Sequence, residues 1–221
     1  EEELSVLLKP MALDGIEPVG SMGNDVPLAA FSQRPRLLFD YFTQLFAQVT
    51  NPPLDSIREE LVTSLSTHIG VERNVLEPGP ESCQRLAVPF PVLSNEQLAV
   101  VVSGEKTGRD RGLRSAVIEM TYPVAAGGQG LRERLDEIDG EVNAAVDNGA
   151  QVLILSDRTA DAGHAPIPSL LLTGAVHHHL VRAKKRTQVG LVVEAGDVRE
   201  VHHAALLLGY APYTAGRIMS P

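Results

Sequence analysis

Five of the seven histidines stand in two tight groups, His177-His178-His179 and His202-His203, and imidazole is both a common metal ligand and a proton carrier near neutral pH. Consecutive residues on a helix point about 100° apart, so the triplet cannot offer three ligands to one ion. His178 and His202 could meet between helices, but the His-x-x-x-His spacing of zinc helices is absent. The histidines read as packing and local hydrogen-bonding residues, and no metal is assigned. Gly127-Gly128-Gln129-Gly130 falls between an expected strand and an expected helix, where backbone amides and the helix dipole favour a phosphate. The run matches neither the dinucleotide fingerprint nor a P-loop, and Gly104-Glu105-Lys106-Thr107 lacks the P-loop's upstream glycine. Gly127, Gly128 and Gly130 therefore stand as a candidate anion loop, with a flexible connection as the alternative. Asp157, Arg158 and Asp161 follow an apolar run at its carboxyl end, where parallel-sheet enzymes place active groups. No partner nucleophile or base is evident, which favours an Asp–Arg brace over a catalytic carboxylate. Cys83 lies among prolines without a neighbouring histidine and is assigned no reactivity. No catalytic residue is assigned.

The bulk of the chain narrows the classes of function. At 221 residues a single domain over 1–221 is expected, large enough for a real core. A net charge of −9 and the absence of a basic stripe argue against nucleic acid as a partner. No apolar run is long enough to span a bilayer, and Glu1-Glu2-Glu3 is unlike the start of a signal peptide. The single cysteine excludes an internal disulfide and fits a reducing compartment. The cytoplasm is the expected location.

Two rhythms position these residues. In the first half, Leu4, Leu7 and Leu8 predict a short helix ending near Pro10. Leu37, Leu38, Tyr41, Phe42, Leu45, Phe46 and Val49 recur at helical spacing. Five of the nine aromatic residues lie between Phe31 and Phe46, so this stretch is expected to be a long helix carrying much of one core. Pro52 and Pro53 stop it. Asp55 then caps a second helix whose Ile57, Leu61 and Leu65 share a face. Residues 70–91 hold prolines at 78, 80, 89 and 91 and read as an irregular connection, followed by a capping box at Ser94–Gln97.

The second half repeats strand, loop, helix three times. Its strands are expected over Ala116–Tyr122, Val152–Leu155 and Val189–Glu194. The helices are expected over Leu131–Asn148, from Pro168 to about Lys184, and from an Asp197/Glu200 capping box to Gly209. Three such units cannot close an eightfold barrel. The expected fold is α/β: an open, partial (β/α) barrel-like parallel sheet with the N-terminal helices packed on one side.

Several long blocks, in one order, resemble the central domain of the glutamate synthase large (alpha) subunit. They are Gly20-Ser21-Met22-Gly23-Asn24-Asp25-Val26-Pro27-Leu28-Ala29, RPRLLFDYFTQLFAQVTNPPLDSIREE, Ala165–Leu170, Gly174–Leu180 and VGLVVEAGDVREVHHAALLLGY. The resemblance covers nearly the whole chain. It implies a connecting domain of an oxidoreductase that makes glutamate from glutamine and 2-oxoglutarate, in nitrogen metabolism and ammonia assimilation. Its partners would be the amidotransferase and FMN-binding domains of the same polypeptide.

That family uses an N-terminal cysteine to hydrolyse glutamine, and FMN with an iron–sulfur cluster to reduce the product. This chain starts with glutamate, and one cysteine cannot hold a cluster. No cofactor is expected in it, FMN and the cluster lying elsewhere in the complete enzyme. The resemblance further implies that Met22 and Thr50 line the ammonia passage near its entry. After Gly209-Tyr210 the sequence departs from the family's usual Gly/Ala stretch and Asn-Pro-Tyr segment, which leaves open an excised fragment or a stand-alone protein. The alternatives are a small barrel-like phosphate-binding enzyme and a purely structural docking scaffold.

Overall fold

The computed structural model describes residues 4–16, 18, 29–43, 53–104 and 113–210. The chain divides into two compact units, Glu1–Ser64 with Arg199–His203, and Leu65–Val198 with Ala204–Pro221.

In the first unit a five-residue π-type turn, Leu4–Leu8, leads into α1 (Lys9–Asp14). The helix does not end at Pro10, as its sequence suggests, but takes that proline into its first turn. There proline's fixed φ is compatible with the helix. Gly15, at φ +63°, ends it. The long aromatic helix expected from Leu37 is also absent as far as Thr43. Leu38–Tyr41 forms one 3-10 turn, and Phe42 is already extended at φ −109°, ψ 100°. Aromatic and β-branched residues are mediocre helix formers, and a short helix persists only when its apolar face is packed. Here Phe39 alone is buried while Tyr41 is 55% exposed. Residues 44–52 lie outside the described residues. The second expected helix is present as α2 (Ser56–Val62), with Asp55 Oδ1 accepting from the amides of Ile57 at 3.1 Å and Arg58 at 2.9 Å. It ends before Leu65.

The second unit carries the sheet. The supposedly irregular stretch after Gly70 contains a 3-10 turn at Pro80–Cys83 and a short strand. β1 (Thr67–Ile69) and β2 (Leu86–Val88) pair antiparallel, and α3 (Asn95–Ser103) follows with the predicted Ser94/Gln97 capping box. The expected strand at 116–122 is two strands, β3 (Ser115–Glu119) and β4 (Thr121–Pro123), on either side of the buried Met120. Then come α4 (Gly127–Asp147), β5 (Val152–Ser156), β6 (His164–Pro166), α5 (Ser169–Arg182), β7 (Gly190–Glu194) and α6 (Val201–Tyr210). β3, β5 and β7 form an open, all-parallel sheet in that order, and β4 and β6 pair antiparallel beside it.

All five residues of β5 and of β7 are buried, as an unbroken apolar run with helices on its flanks demands. Val152, Ile154 and Val192 join Ile69, Val88, Leu93, Leu98 and Val101 in one apolar cluster. Strand alternation turns Leu153, Leu155, Leu191 and Val193 to the opposite face. Ile138, Val142 and Val146 of α4 and Leu172, Val176 and Leu180 of α5 are buried, and the two helices lie side by side. One close approach is set by glycine. A Cβ on Gly190 would come within 2.9 Å of Gly70 N and of Ile69 Cγ2, so β7 sits against the β1 end as only glycine permits. Among the described residues no helix is long and apolar enough to cross a membrane.

Candidate functional site

The carboxyl ends of β5 and β7 are opposed in register, Ser156 against Glu194. Parallel pairing therefore sets a hydroxyl beside a buried carboxylate. Ser156 Oγ donates to Glu194 Oε2 at 2.7 Å, and the Arg158 guanidinium pairs with Glu194 Oε1. Asp157 turns the other way, its Oδ2 accepting from Gly196 N at 2.7 Å. Burial, and the neighbouring charges of Asp197 and Glu194, hold the Asp157 carboxyl above the usual carboxylate range against the opposing pull of the Gly196 amide. Asp161 closes its own turn, accepting from the amides of Gly163 and His164 and meeting His164 Nδ1 at 3.0 Å. These bonds lower its pKa, the His164 ring contributing most.

The brace anticipated between Asp157 and Arg158 thus exists with different partners. Arg158 holds Glu194 and Asp157 holds Gly196, both across the sheet end. Sequence reasoning missed Glu194. The available clue was its place as the last residue of an apolar run matching Val152–Ser156, which two parallel strands would bring level.

Asp197 is a second correction. With Glu200 it was expected to cap the helix that follows it. Instead that helix begins at Val201, and Asp197 Oδ2 accepts from Ser169 N at 3.0 Å, capping the start of α5. Pro168, expected near the first turn of α5, is its N-cap residue and contributes no side-chain hydrogen bond, which leaves that amide for Asp197. Asp197 Oδ1, Ser169 Oγ and Thr173 Oγ1 are buried without a hydrogen-bond partner in the structure. Ser169 and Thr173 lie one turn apart on α5 and are both fully buried.

The glycine run is the first turn of α4 rather than a loop before it. Gly127 adopts φ +57°, and nothing lies within 4 Å of where its Cβ or that of Gly128 would stand. A Cβ on Gly130 would instead strike Ala126 Cβ at 2.3 Å, so this glycine serves packing.

His177, His179 and His203 meet different neighbours. His177 Nδ1 accepts from Arg186 Nε at 3.1 Å, and burial, with the Arg186 charge, keeps its pKa low. His178 meets His177 edge-on at 5.1 Å between ring centroids. His179 Nδ1 lies 2.9 Å from Asp139 Oδ2. In the first unit His203 stacks on Phe39 at 4.3 Å. Its Nδ1 accepts from Arg199 N, and its Nε2 lies 3.2 Å from Glu200 Oε1. These bonds set the Nε2–H tautomer. Among the described residues no three His, Cys, Asp or Glu side chains are disposed to hold a metal ion. Cys83 is exposed. Met22 and Thr50 lie outside the described residues.

The sheet-end cluster can brace two strands and a helix start, but it presents no nucleophile with a free base. Ser156 Oγ is committed to Glu194, which Arg158 neutralises. The family model described as "Glutamate synthase central domain" matches residues 1–216. "Glutamate synthase [NADH]" of Schizosaccharomyces pombe is 43% identical over 219 residues, covering 97% of this chain and 10% of that protein. The "Glutamate synthase [NADPH] large chain" of Bacillus subtilis is 42% identical, covering 97% and 14%. The chloroplastic "Ferredoxin-dependent glutamate synthase" of Spinacia oleracea is 39% identical, covering 97% and 13%. The chain therefore spans between 10% and 14% of these relatives' length. By this match over nearly its full extent, the chain belongs to the family of glutamate synthase central domains.

Proposed function

We propose that this chain is the connecting domain of a glutamate synthase, joining the glutamine amidotransferase domain to the FMN-binding synthase domain. In that reading it helps form the passage for ammonia in glutamate formation from glutamine and 2-oxoglutarate. The observation that carries the reading is the family match over residues 1–216, to relatives of which the matched part is 10–14%. The chemistry of the complete enzyme, an oxidoreductase reaction with FMN and an iron–sulfur cluster, belongs in this reading to the remainder of the polypeptide. That relatives named for NADH, NADPH and ferredoxin match at similar identity supports a reading in which the electron donor is chosen outside this domain.

A passage for ammonia needs walls that are narrow, stiff and dry, or the molecule escapes or is protonated. Met22 and Thr50 supply one such wall in this reading. Thr50 precedes Pro52 and Pro53 in sequence, and the fixed φ of proline restricts the backbone there. Further along the chain the Asp55 carboxylate is tied to two amides and to Arg58 Nη1 at 2.8 Å. Met22 adds adaptable apolar bulk.

The test is Thr50→Trp in the complete enzyme, taken forward only if its melting profile matches the parent, since overpacking also unfolds cores. Glutamine hydrolysis should continue while glutamate formation falls below it and free ammonia accumulates. A folded variant that keeps one-to-one coupling would remove Thr50 from the passage.

A further inference from the structure

Three buried polar atoms gather at the start of α5, and each lacks a hydrogen-bond partner: Asp197 Oδ1, Ser169 Oγ and Thr173 Oγ1. Ser169 and Thr173 are fully buried, on a helix whose other buried side chains are leucine and valine. An unpaired polar group in such a place is costly, and native interiors pair nearly all of them, with protein or with ordered water. The placement of the three is convergent. Asp197 Oδ2 accepts from Ser169 N at 3.0 Å, so Oδ1 of the same carboxylate lies beside the first turn of the helix. Thr173 stands one turn further along, and helical side chains lean toward the N-terminus, which brings Thr173 back over Ser169.

The surrounding charges decide what fits there. The carboxylates of Asp197 and Glu194 already act on Asp157 by their charge, so a further anion is repelled. A cation meets the positive end of the α5 dipole, and among the described residues no three His, Cys, Asp or Glu side chains are disposed to hold a metal ion. What remains is a small neutral molecule that both donates and accepts. We propose that the first turn of α5 encloses a structural water, which donates to Asp197 Oδ1 and pairs with Ser169 Oγ and Thr173 Oγ1. Internal waters make about three hydrogen bonds, as this one does. It completes the cap of α5. Asp197 holds the Ser169 amide with one oxygen and the water with the other, and the water ties the loop after β7 to Thr173. The connecting-domain reading plays no part in this inference.

Two measurements on the complete polypeptide test it. A crystal structure that resolves ordered water should show one within about 3.2 Å of all three atoms. An empty site, or a direct bond from either hydroxyl to Asp197 Oδ1, overturns the proposal. The second measurement is amide exchange in Thr173→Val, which keeps the shape of the side chain and removes the hydroxyl. If the water is there, the variant takes one of its hydrogen bonds away. Exchange across residues 169–176 then accelerates by about five- to tenfold, the contribution of one net hydrogen bond. In a dry site the variant only removes an unpaired hydroxyl, and exchange that is unchanged or slower overturns the proposal. Should Thr173→Val fail to fold, Ser169→Ala removes the neighbouring hydroxyl and is read in the same way.

Discussion

The two units of the chain solve the problem of stability differently. The unit from Leu65 onward stacks apolar side chains on both faces of β5 and β7, and Ile69, Leu153, Leu155 and Leu191 are fully buried there. Among the described residues of the first unit, Phe39 is the buried apolar side chain, while Ile57, Leu61 and Phe31 face outward. The amino-acid composition does not explain the difference, since both halves are rich in leucine and valine. Closure explains it. A parallel sheet gives consecutive strand–helix units a common surface to cover, whereas short helices and one 3-10 turn have none of their own. The lesson is that the second unit is stabilised from within, whereas the described residues of the first bury little apolar surface.

The largest effect that would sharpen this contrast is a truncation in the sheet. Leu155→Ala should destabilise the second unit by about 2–5 kcal/mol, the range for leucine truncation in a packed core. Leu61→Ala should stay within about 0.5 kcal/mol of the parent, as an exposed substitution does. Urea denaturation of both variants measures the difference. Equal losses would mean that α2 is packed as firmly as β5.

Legibility followed the same divide. The parallel sheet of β3, β5 and β7 could be read because an unbroken apolar run such as Val152–Leu155 has few uses except a strand covered on both faces. The Asp55 cap and the Ser94/Gln97 box could be read because capping is local, involving residues two or three apart. What misled was tertiary. Helical spacing from Leu37 predicts a helix that is absent over Leu37–Thr43, because periodicity does not say whether a surface exists for the face to meet. Asp197 fits a local capping box, yet its carboxylate goes to Ser169, 28 residues away, because the ends of β7 and α5 converge. The Glu194 brace was hidden for the same reason, as its partners become neighbours only once register is set. Met22 and Thr50 entered through family resemblance, not through spacing.

A smaller effect concerns the sheet end. Asp157 has a raised pKa in the folded state, so its protonated form is the one the fold favours. The stability it contributes is present in full below its unfolded pKa of about 3.9 and is lost as pH rises through the higher folded value. Asp157→Asn keeps a side-chain oxygen for the Gly196 amide and removes the charge. Relative to the parent it should gain stability at pH 7 and little or none near pH 4, read from urea midpoints at each pH. A loss at pH 7 that exceeds the loss at pH 4 would show instead that the ionised carboxylate is what the Gly196 contact requires.

The most direct test of the contrast between the units is amide hydrogen exchange on the 221-residue chain, because it reports the opening of each segment separately. The account predicts that the amides of β5 and β7 exchange only through global unfolding. Those of α2 should exchange by local opening, many orders of magnitude faster. Protection of residues 58–62 equal to that of Leu153 and Val192 would show that the first unit is held by contacts within this chain, and would contradict the account.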